Sequence, residues 1–181
     1  MNTNTTTVKE VFLVDLMEIL EDNSNPDLTT IMIDETSSVE SFLTVKGDLF
    51  EIDLVRKKQQ NTKLSPEEFS NEVRKTMKTF LTIGGFLGIC NGNNWQDNFM
   101  DYLKQFKWFD PATFFQNRGD KKYLLKQGIL LKEEDKDPFG NLGCWLPPLT
   151  KMCVVYNTQR KNLETIRNYF IGDGFEFIIV K

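Results

Sequence analysis

The segment that most constrains the fold is residues 65–108, where two sets of apolar residues recur at helical spacing around a short apolar run. Ser65 can cap a helix, Pro66 suits its first position, and Glu68 completes a capping box with Ser65. The first apolar set consists of Phe69, Val73, Met77, Phe80 and Leu81, and the second of Trp95, Phe99, Tyr102, Leu103, Phe106 and Phe109. The pattern predicts two helices that pack as a hairpin in the core.

The composition is typical of a globular protein. The chain has 181 residues, of which 40% are hydrophobic and 27% charged, so we expect one domain over residues 1–181. A net charge of -4 argues against nucleic acid as a partner, because nucleic-acid-binding proteins present a basic surface. Asparagine, lysine and isoleucine are frequent and Ala112 is the only alanine. Such usage is typical of AT-rich genomes, including those of viruses, phages and low-GC bacteria.

The sequence also bears on the compartment of the protein. Residues 1–7 are polar apart from Met1 and carry no charged side chain, unlike the start of a secretory signal peptide. The longest apolar run, residues 79–90, is shorter than the ~20 residues that span a bilayer. We therefore expect no membrane span and a cytoplasmic location, in the host cell or virion if the source is viral. Cys90, Cys144 and Cys153 lie among apolar residues, which favours reduced and buried thiols.

The remaining patterns predict helices and strands without regular alternation. They are a flexible tip at 1–6, a helix at 8–20, a strand at 28–33, a β-hairpin at 42–55, a charged linker at 56–64, a bent strand at 123–131, an exposed loop at 132–150 and a β-α-β unit at 152–180. The two strands of the last unit run parallel if they share a sheet. The predicted fold is α+β: a single domain with a mixed sheet, an N-terminal helix, a β-hairpin, a central two-helix unit and a C-terminal β-α-β unit.

The absence of histidine limits the chemistry of the chain. It excludes imidazole acid–base catalysis, triads of the Ser-His-Asp type and zinc sites that use histidine. The three cysteines lack the paired spacing of a structural zinc site. An enzyme built on this chain would have to use carboxylates, lysine, tyrosine or a hard metal ion.

Carboxylates therefore supply the alternative hypothesis, a Mg-dependent enzyme or a small-ligand-binding protein. Its candidate groups are Glu134, Asp135 and Asp137, with Tyr123 or Lys126 nearby in the sequence. The same segment does not fit a calcium loop, since the fifth and twelfth positions counted from Asp135 are phenylalanine and leucine. We predict no metal site and no cofactor.

Large apolar residues in turns supply the first hypothesis, a non-enzymatic protein that acts through protein–protein contacts. Trp108, Phe109, Phe114 and Phe115 crowd a predicted helix end, and a second set, Phe139, Leu142, Trp145 and Leu146, lies in a glycine- and proline-rich loop. Exposed aromatic residues on loops are typical of binding surfaces. We predict that these eight residues contact a protein partner or a second copy of the chain, as in a subunit of a viral, phage or bacterial assembly.

Overall fold

The computed structural model describes residues 8–22, 28–46, 48–83, 86–115, 130–136, 138–139, 151–172 and 174–181. Its centre is a six-stranded sheet made of β1 (Lys9–Val11), β2 (Thr29–Asp34), β3 (Asp48–Glu51), β4 (Phe86–Cys90), β5 (Lys151–Asn157) and β6 (Phe175–Val180). The strands lie in the order β1-β6-β2-β5-β4-β3, and every neighbouring pair is parallel. The fold is therefore α/β, and the predictions of an α+β fold and of a mixed sheet are wrong.

Helices cover both faces of this sheet, which gives three layers. The described helices are α1 (Leu16–Glu21), α2 (Val39–Lys46), α3 (Ile52–Asn61), α4 (Pro66–Ile83), α5 (Phe99–Leu103), α6 (Pro111–Phe115) and α7 (Leu163–Arg167). Buried residues of α1 and α2 pack with Met32 and Val155 on one face. Buried residues of α3 to α7 pack with Ile31 and Val154 on the other. Within the described residues, no helix combines the length and the apolarity needed to cross a bilayer.

The predicted β-hairpin at residues 42–55 is wrong. Residues Val39–Lys46 form α2, and β3 is a four-residue edge strand parallel to β4. The alternation of Phe50, Ile52 and Leu54 does not continue the strand, because Ile52 begins α3 and Leu54 is half-exposed. Ile52 and Val55 instead bury one side of a helix. That helix also occupies most of the predicted linker at 56–64.

The prediction of a central two-helix unit is confirmed for its first helix, α4, and wrong for its second. The capping box forms as predicted: the backbone N–H of Ser65 donates to Glu68 Oε2 at 2.9 Å, and the N–H of Glu68 donates to Ser65 Oγ at 3.3 Å. The apolar run that follows the helix is the buried strand β4, with Leu87 and Ile89 on one face. The second helix shrinks to α5, and the predicted N-terminal helix is β1 followed by α1.

The C-terminal β-α-β unit is confirmed. β5 and β6 are parallel members of one sheet joined through α7, and β2 lies between them and pairs with both. The predicted strand at 28–33 is this β2. The predicted tip at 1–6 and all but the last two residues of the predicted strand at 123–131 lie outside the described residues, as does most of the predicted loop at 132–150.

Candidate functional site

The carboxyl edge of the sheet holds the candidate site, where β2 and β5 lie side by side. The connection after β2 passes through α2 on one face of the sheet, whereas the connection after β5 passes through α7 on the other. Where connections diverge in this way, the chain leaves a crevice outside the carboxyl ends of the strands, and ligands of open α/β sheets bind there. Asp34 and Asn157 end these two strands and are paired in register.

Asp34 organises the loop between β2 and α2. Its side chain is 1% exposed. Oδ1 accepts from the backbone N–H of Thr36 at 2.9 Å and from its hydroxyl at 2.7 Å, and Oδ2 accepts from the N–H of Val39 at 2.8 Å. Ser37 in this loop has φ 56°, in the left-handed region that non-glycine residues rarely adopt. The carboxylate therefore fixes a strained polar loop at the start of α2.

Asn157 faces α2 from the end of β5. Its Nδ2 lies 3.3 Å from Glu40 Oε2, and the same carboxylate oxygen accepts from the Cys90 thiol at 3.4 Å. Asn157 Oδ1 is buried and has no hydrogen-bond donor among the described residues. Buried amide oxygens are normally paired, so among the described residues this oxygen is an open acceptor, that is, a buried acceptor without a donor, at the carboxyl end of β5.

Asn91 occupies the corresponding place after β4, on the face of α5. Its side chain is 0% exposed, and Nδ2 donates to the carbonyl oxygens of Asn94 at 2.8 Å and Asp97 at 2.9 Å. Oδ1 of Asn91 and the hydroxyl of Tyr156 are also buried without a partner in the described part of the chain. Of the described residues, three thus place an unpaired buried polar atom near the carboxyl ends of β4 and β5.

The loop after β4 is tied to α3. Asn94 Nδ2 lies 2.8 Å from both carboxylate oxygens of Asp53, and Arg56 pairs with Asp97 and stacks over Tyr102 at 4.8 Å. Gly92 has φ 54°, and its carbonyl oxygen accepts from the N–H of Asn157 at 2.9 Å. These contacts hold the edge of the sheet in one arrangement.

The electrostatics of the edge disfavour a cysteine nucleophile. Burial raises the pKa of the Cys90 thiol, and although a hydrogen bond from the Gly92 N–H opposes this, the carboxylate of Glu40 adds to it, so the pKa reaches about 12. The thiol is protonated at neutral pH, whereas a cysteine nucleophile must be a thiolate. Asp34 and Glu40 form no ion pair with any described lysine or arginine. The described residues also contain no group of three or more histidine, cysteine or carboxylate side chains that could hold a metal ion.

The aromatic residues predicted to contact a partner are divided by the structure. Trp108, Phe109, Phe114 and Phe115 belong to the core and are buried. Trp108 stacks on Phe106 with ring centres 5.7 Å apart and donates its Nε1–H to the carbonyl of Ser70 at 2.9 Å. The expectation that these four rings are exposed is wrong, because rings from several elements share one core.

Of the second predicted set of partner-contacting residues, in the glycine- and proline-rich loop, only one lies within the described residues. Phe139 is 89% exposed. Its three companions in the prediction, Leu142, Trp145 and Leu146, lie outside the described residues.

Two of the carboxylates named in the alternative hypothesis form ion pairs with residues of α4. Asp135 and Glu134 bind the guanidinium of Arg74, and Asp135 also binds Lys78. These contacts anchor a segment onto α4. Asp137, Tyr123 and Lys126 lie outside the described residues.

The sequence did carry a signal for the carboxyl edge that was missed. A polar residue ends each of three buried apolar runs: Asp34 is the last residue of β2, Asn91 follows β4, and Asn157 is the last residue of β5. In a parallel sheet such residues meet at one edge. The predicted hairpin and two-helix unit do not include a parallel sheet, so the sequence analysis does not bring these residues together.

No family model, no curated protein and no solved structure matches this chain. The carboxyl edge therefore has to be interpreted from its own geometry.

Proposed function

We propose that this protein binds a small polar ligand in the crevice between the carboxyl ends of β2 and β5. The observation that carries the proposal is the buried Oδ1 of Asn157, which lacks a donor among the described residues. An unpaired buried acceptor costs about 1–3 kcal/mol, and a ligand that donates a hydrogen bond to it would recover that energy. The divergence of the connections after β2 and β5 supports the same place.

The residues around the crevice define the chemistry of the ligand. Asp34, Glu35 and Glu40 bring three carboxylates to this edge, with the cation Arg160 beside Glu35, and the open group of Asn157 is an acceptor. Complementarity then requires a neutral or cationic ligand that carries N–H or O–H donors. A phosphorylated ligand would meet like charge. The proposal therefore follows the small-ligand-binding form of the alternative hypothesis. It does not follow the form that assigns catalysis to Glu134 and Asp135.

Amide spectra of the ¹⁵N-labelled protein test the proposal. Adenosine, ribose and spermidine are added separately, with ATP as the anionic comparison. We expect at least one neutral or cationic probe to shift the amides of residues 35–40 and 157–160, and ATP to leave them in place. If no probe shifts these amides, the open acceptor is satisfied by water and the proposal fails.

A matched pair of variants assigns the binding to the crevice. Glu40→Gln removes the charge that Asn157 and Cys90 contact, so it should weaken the binding of the active probe. Glu67→Gln makes the same change at an exposed position of α4 and should leave the binding unchanged. Equal effects of the two variants would mean that the probe responds to overall charge.

A second candidate function is self-association through the segment that contains Phe139. The observation in its favour is the 89% exposure of this ring, since exposed aromatic residues are favoured interface anchors. Phe139→Ser should lower the association seen by sedimentation at rising protein concentration. Phe12→Ser is the matched control, because Phe12 is exposed too and precedes α1. A wild-type chain that stays monomeric at every concentration contradicts this candidate.

A further inference from the structure

A second concave site lies near the opposite end of the strands, under α1. It is a cavity of about 490 Å³, within the range of small-molecule pockets. The turn before α1 and α1 itself form its roof with Asp15 and Glu18, and the starts of β1, β5 and β6 contribute Lys9, Lys151 and Glu176 to its lining. This cavity is distinct from the carboxyl-edge crevice, and the inference below does not depend on the proposed function.

The polar lining departs from the rest of that face. Val11 and Ile178 also line the cavity, and further along the same strands the positions that face α1 and α2 are apolar, as with Cys153, Val155 and Val180. The space between a sheet and its covering helix is normally filled by such apolar side chains. Two lysines and a carboxylate at the strand starts therefore line a polar cavity.

Lys151 is the most unusual of these groups. It is 5% exposed, and its Nζ makes a long contact of 3.4 Å to the carbonyl oxygen of Asp22. An ammonium has three donors, and no described carboxylate forms an ion pair with it. A buried charge is stabilised by pairing with an opposite charge, and within the described part of the chain Lys151 forms no ion pair with a carboxylate.

Glu176 supplies the opposite charge on another strand. Its Oε1 accepts a hydrogen bond from the hydroxyl of Thr30, which orients the carboxylate. β2 separates β5 from β6, so the strands of Lys151 and Glu176 lie two strand spacings, about 10 Å, apart. Asp15 and Glu18 add negative charge at the roof, and Glu10 and Asp22 also line the cavity. The cavity thus presents a cation and an anion at separate places.

We propose that this cavity binds a free α-amino acid. The carboxylate of the ligand pairs with the ammonium of Lys151, and the ammonium of the ligand pairs with Glu176 under the acidic roof. A purely anionic ligand would face the acidic groups, and a purely cationic ligand would leave Lys151 unpaired. A zwitterion satisfies both groups at once.

Calorimetry on the wild-type chain tests the proposal directly. Each standard amino acid is titrated at millimolar concentration beside its amide, which lacks the carboxylate, and its N-acetyl derivative, which lacks the ammonium. We expect at least one amino acid to bind, and each derivative to bind about tenfold to a hundredfold more weakly, as for the loss of a charged hydrogen bond. If no amino acid binds, or if both derivatives bind as tightly as the parent, the proposal is wrong.

Variants then assign each end of the ligand. Lys151→Met should weaken binding of the amino acid and abolish the preference of the protein for the amino acid over its amide. The preference for the amino acid over its N-acetyl derivative should remain. Glu176→Gln should abolish the preference over the N-acetyl derivative and keep the preference over the amide. Lys161→Met and Glu164→Gln are exposed controls that should bind as the wild type does. If Lys151→Met fails to fold, Lys151→Arg keeps the charge and should retain the preference over the amide. Preferences that survive in Lys151→Met and Glu176→Gln would place the ligand elsewhere and overturn the proposal.

Discussion

The guanidinium of Arg74 and the carboxylate of Asp135 form a buried ion pair, with Nη1 2.5 Å from Oδ2 and side chains 0% and 3% exposed. Further bonds satisfy the rest of the guanidinium: Nε donates to Asn71 at 2.9 Å and Nη1 to the carbonyl of Leu130 at 2.8 Å. Lys78 adds a second cation beside Asp135. A segment 56 residues and more downstream is thereby fixed to the middle of α4.

Removing the carboxylate from this pair should destabilise the fold. Asp135→Asn leaves a buried guanidinium without its closest counter-charge, and breaking a buried pair costs about 3 kcal/mol or more. Chemical denaturation measures the loss. Glu133→Gln is the control, because Glu133 is exposed and pairs with Lys136 on the surface, and its effect should stay within about 0.5 kcal/mol. Equal losses in the two variants would contradict the anchoring role.

The same pair should make stability depend on pH in acid. Burial raises the pKa of Asp135, but hydrogen bonds from Arg74, the Lys132 N–H and Lys78 outweigh it and bring the pKa from 3.8 to about 2. A carboxyl with a lower pKa in the folded state stabilises that state above its unfolded pKa, and this stabilisation is lost as the pH falls. The free energy of unfolding should therefore drop between about pH 4 and pH 2. The drop should be smaller in Asp135→Asn, and an unchanged slope would contradict the assignment.

Phe115 should behave as a core residue. Its ring lies 5.7 Å from that of Phe175 and 6.3 Å from that of Phe170. Phe115→Ala should lower the free energy of unfolding by about 3–5 kcal/mol. Phe139→Ala changes an exposed ring and should have an effect of about 0.5 kcal/mol or less. A small effect at Phe115, measured by denaturation, would restore the hypothesis that this ring serves an interface.

Local patterns in the sequence predicted local structure well. The capping box of Ser65 and Glu68 needs only neighbours within one helical turn, and it forms as expected. The C-terminal unit was predicted because a strand, a helix and a strand follow one another with clear boundaries. β2 was found because its apolar run is bounded by polar turns.

Patterns whose meaning depends on tertiary contacts misled the prediction. Fully buried parallel strands form continuous apolar runs, which periodicity does not separate from a buried helix. The sequence pattern therefore predicts that the apolar run is only a connection between two helices, whereas Phe86–Cys90 forms β4. Alternation at Phe50 and Ile52 favoured a strand, but Ile52 is buried from within α3. Packing against the sheet decided both cases.

The candidate site depends on strand order, which the sequence does not contain. Asp34 and Asn157 are 123 positions apart in the sequence (157 − 34), and they meet because β2 pairs with β5. The polar residues that follow buried runs could be identified one by one. That they share one edge follows only from the parallel sheet.

Ser37 should tolerate glycine better than a β-branched residue. At φ 56° a side chain costs about 1 kcal/mol or more, which glycine avoids, although glycine also makes the unfolded chain more flexible. Ser37→Gly should therefore be neutral or slightly stabilising, whereas Ser37→Val should lower the free energy of unfolding by about 1–2 kcal/mol. Ser41→Gly, in the regular part of α2, should be destabilising by about 0.5 kcal/mol. If glycine has the same effect on stability at both positions, the inference that the backbone at Ser37 is strained is wrong.

The two described cysteines should resist alkylation in the folded protein. Burial raises the pKa of the Cys153 thiol to about 12, as burial and the Glu40 carboxylate do for Cys90. Because the thiolate is the reactive form, iodoacetamide at neutral pH should label neither residue until denaturant is added. Peptide mapping by mass spectrometry measures each site separately. Glu40→Gln removes one of the influences that raise the pKa of Cys90, so it should speed labelling there and leave Cys153 unchanged. Rapid labelling of Cys90 in the native wild type would show that the carboxyl edge holds a reactive thiol, and the exclusion of a cysteine nucleophile at this edge would then be wrong.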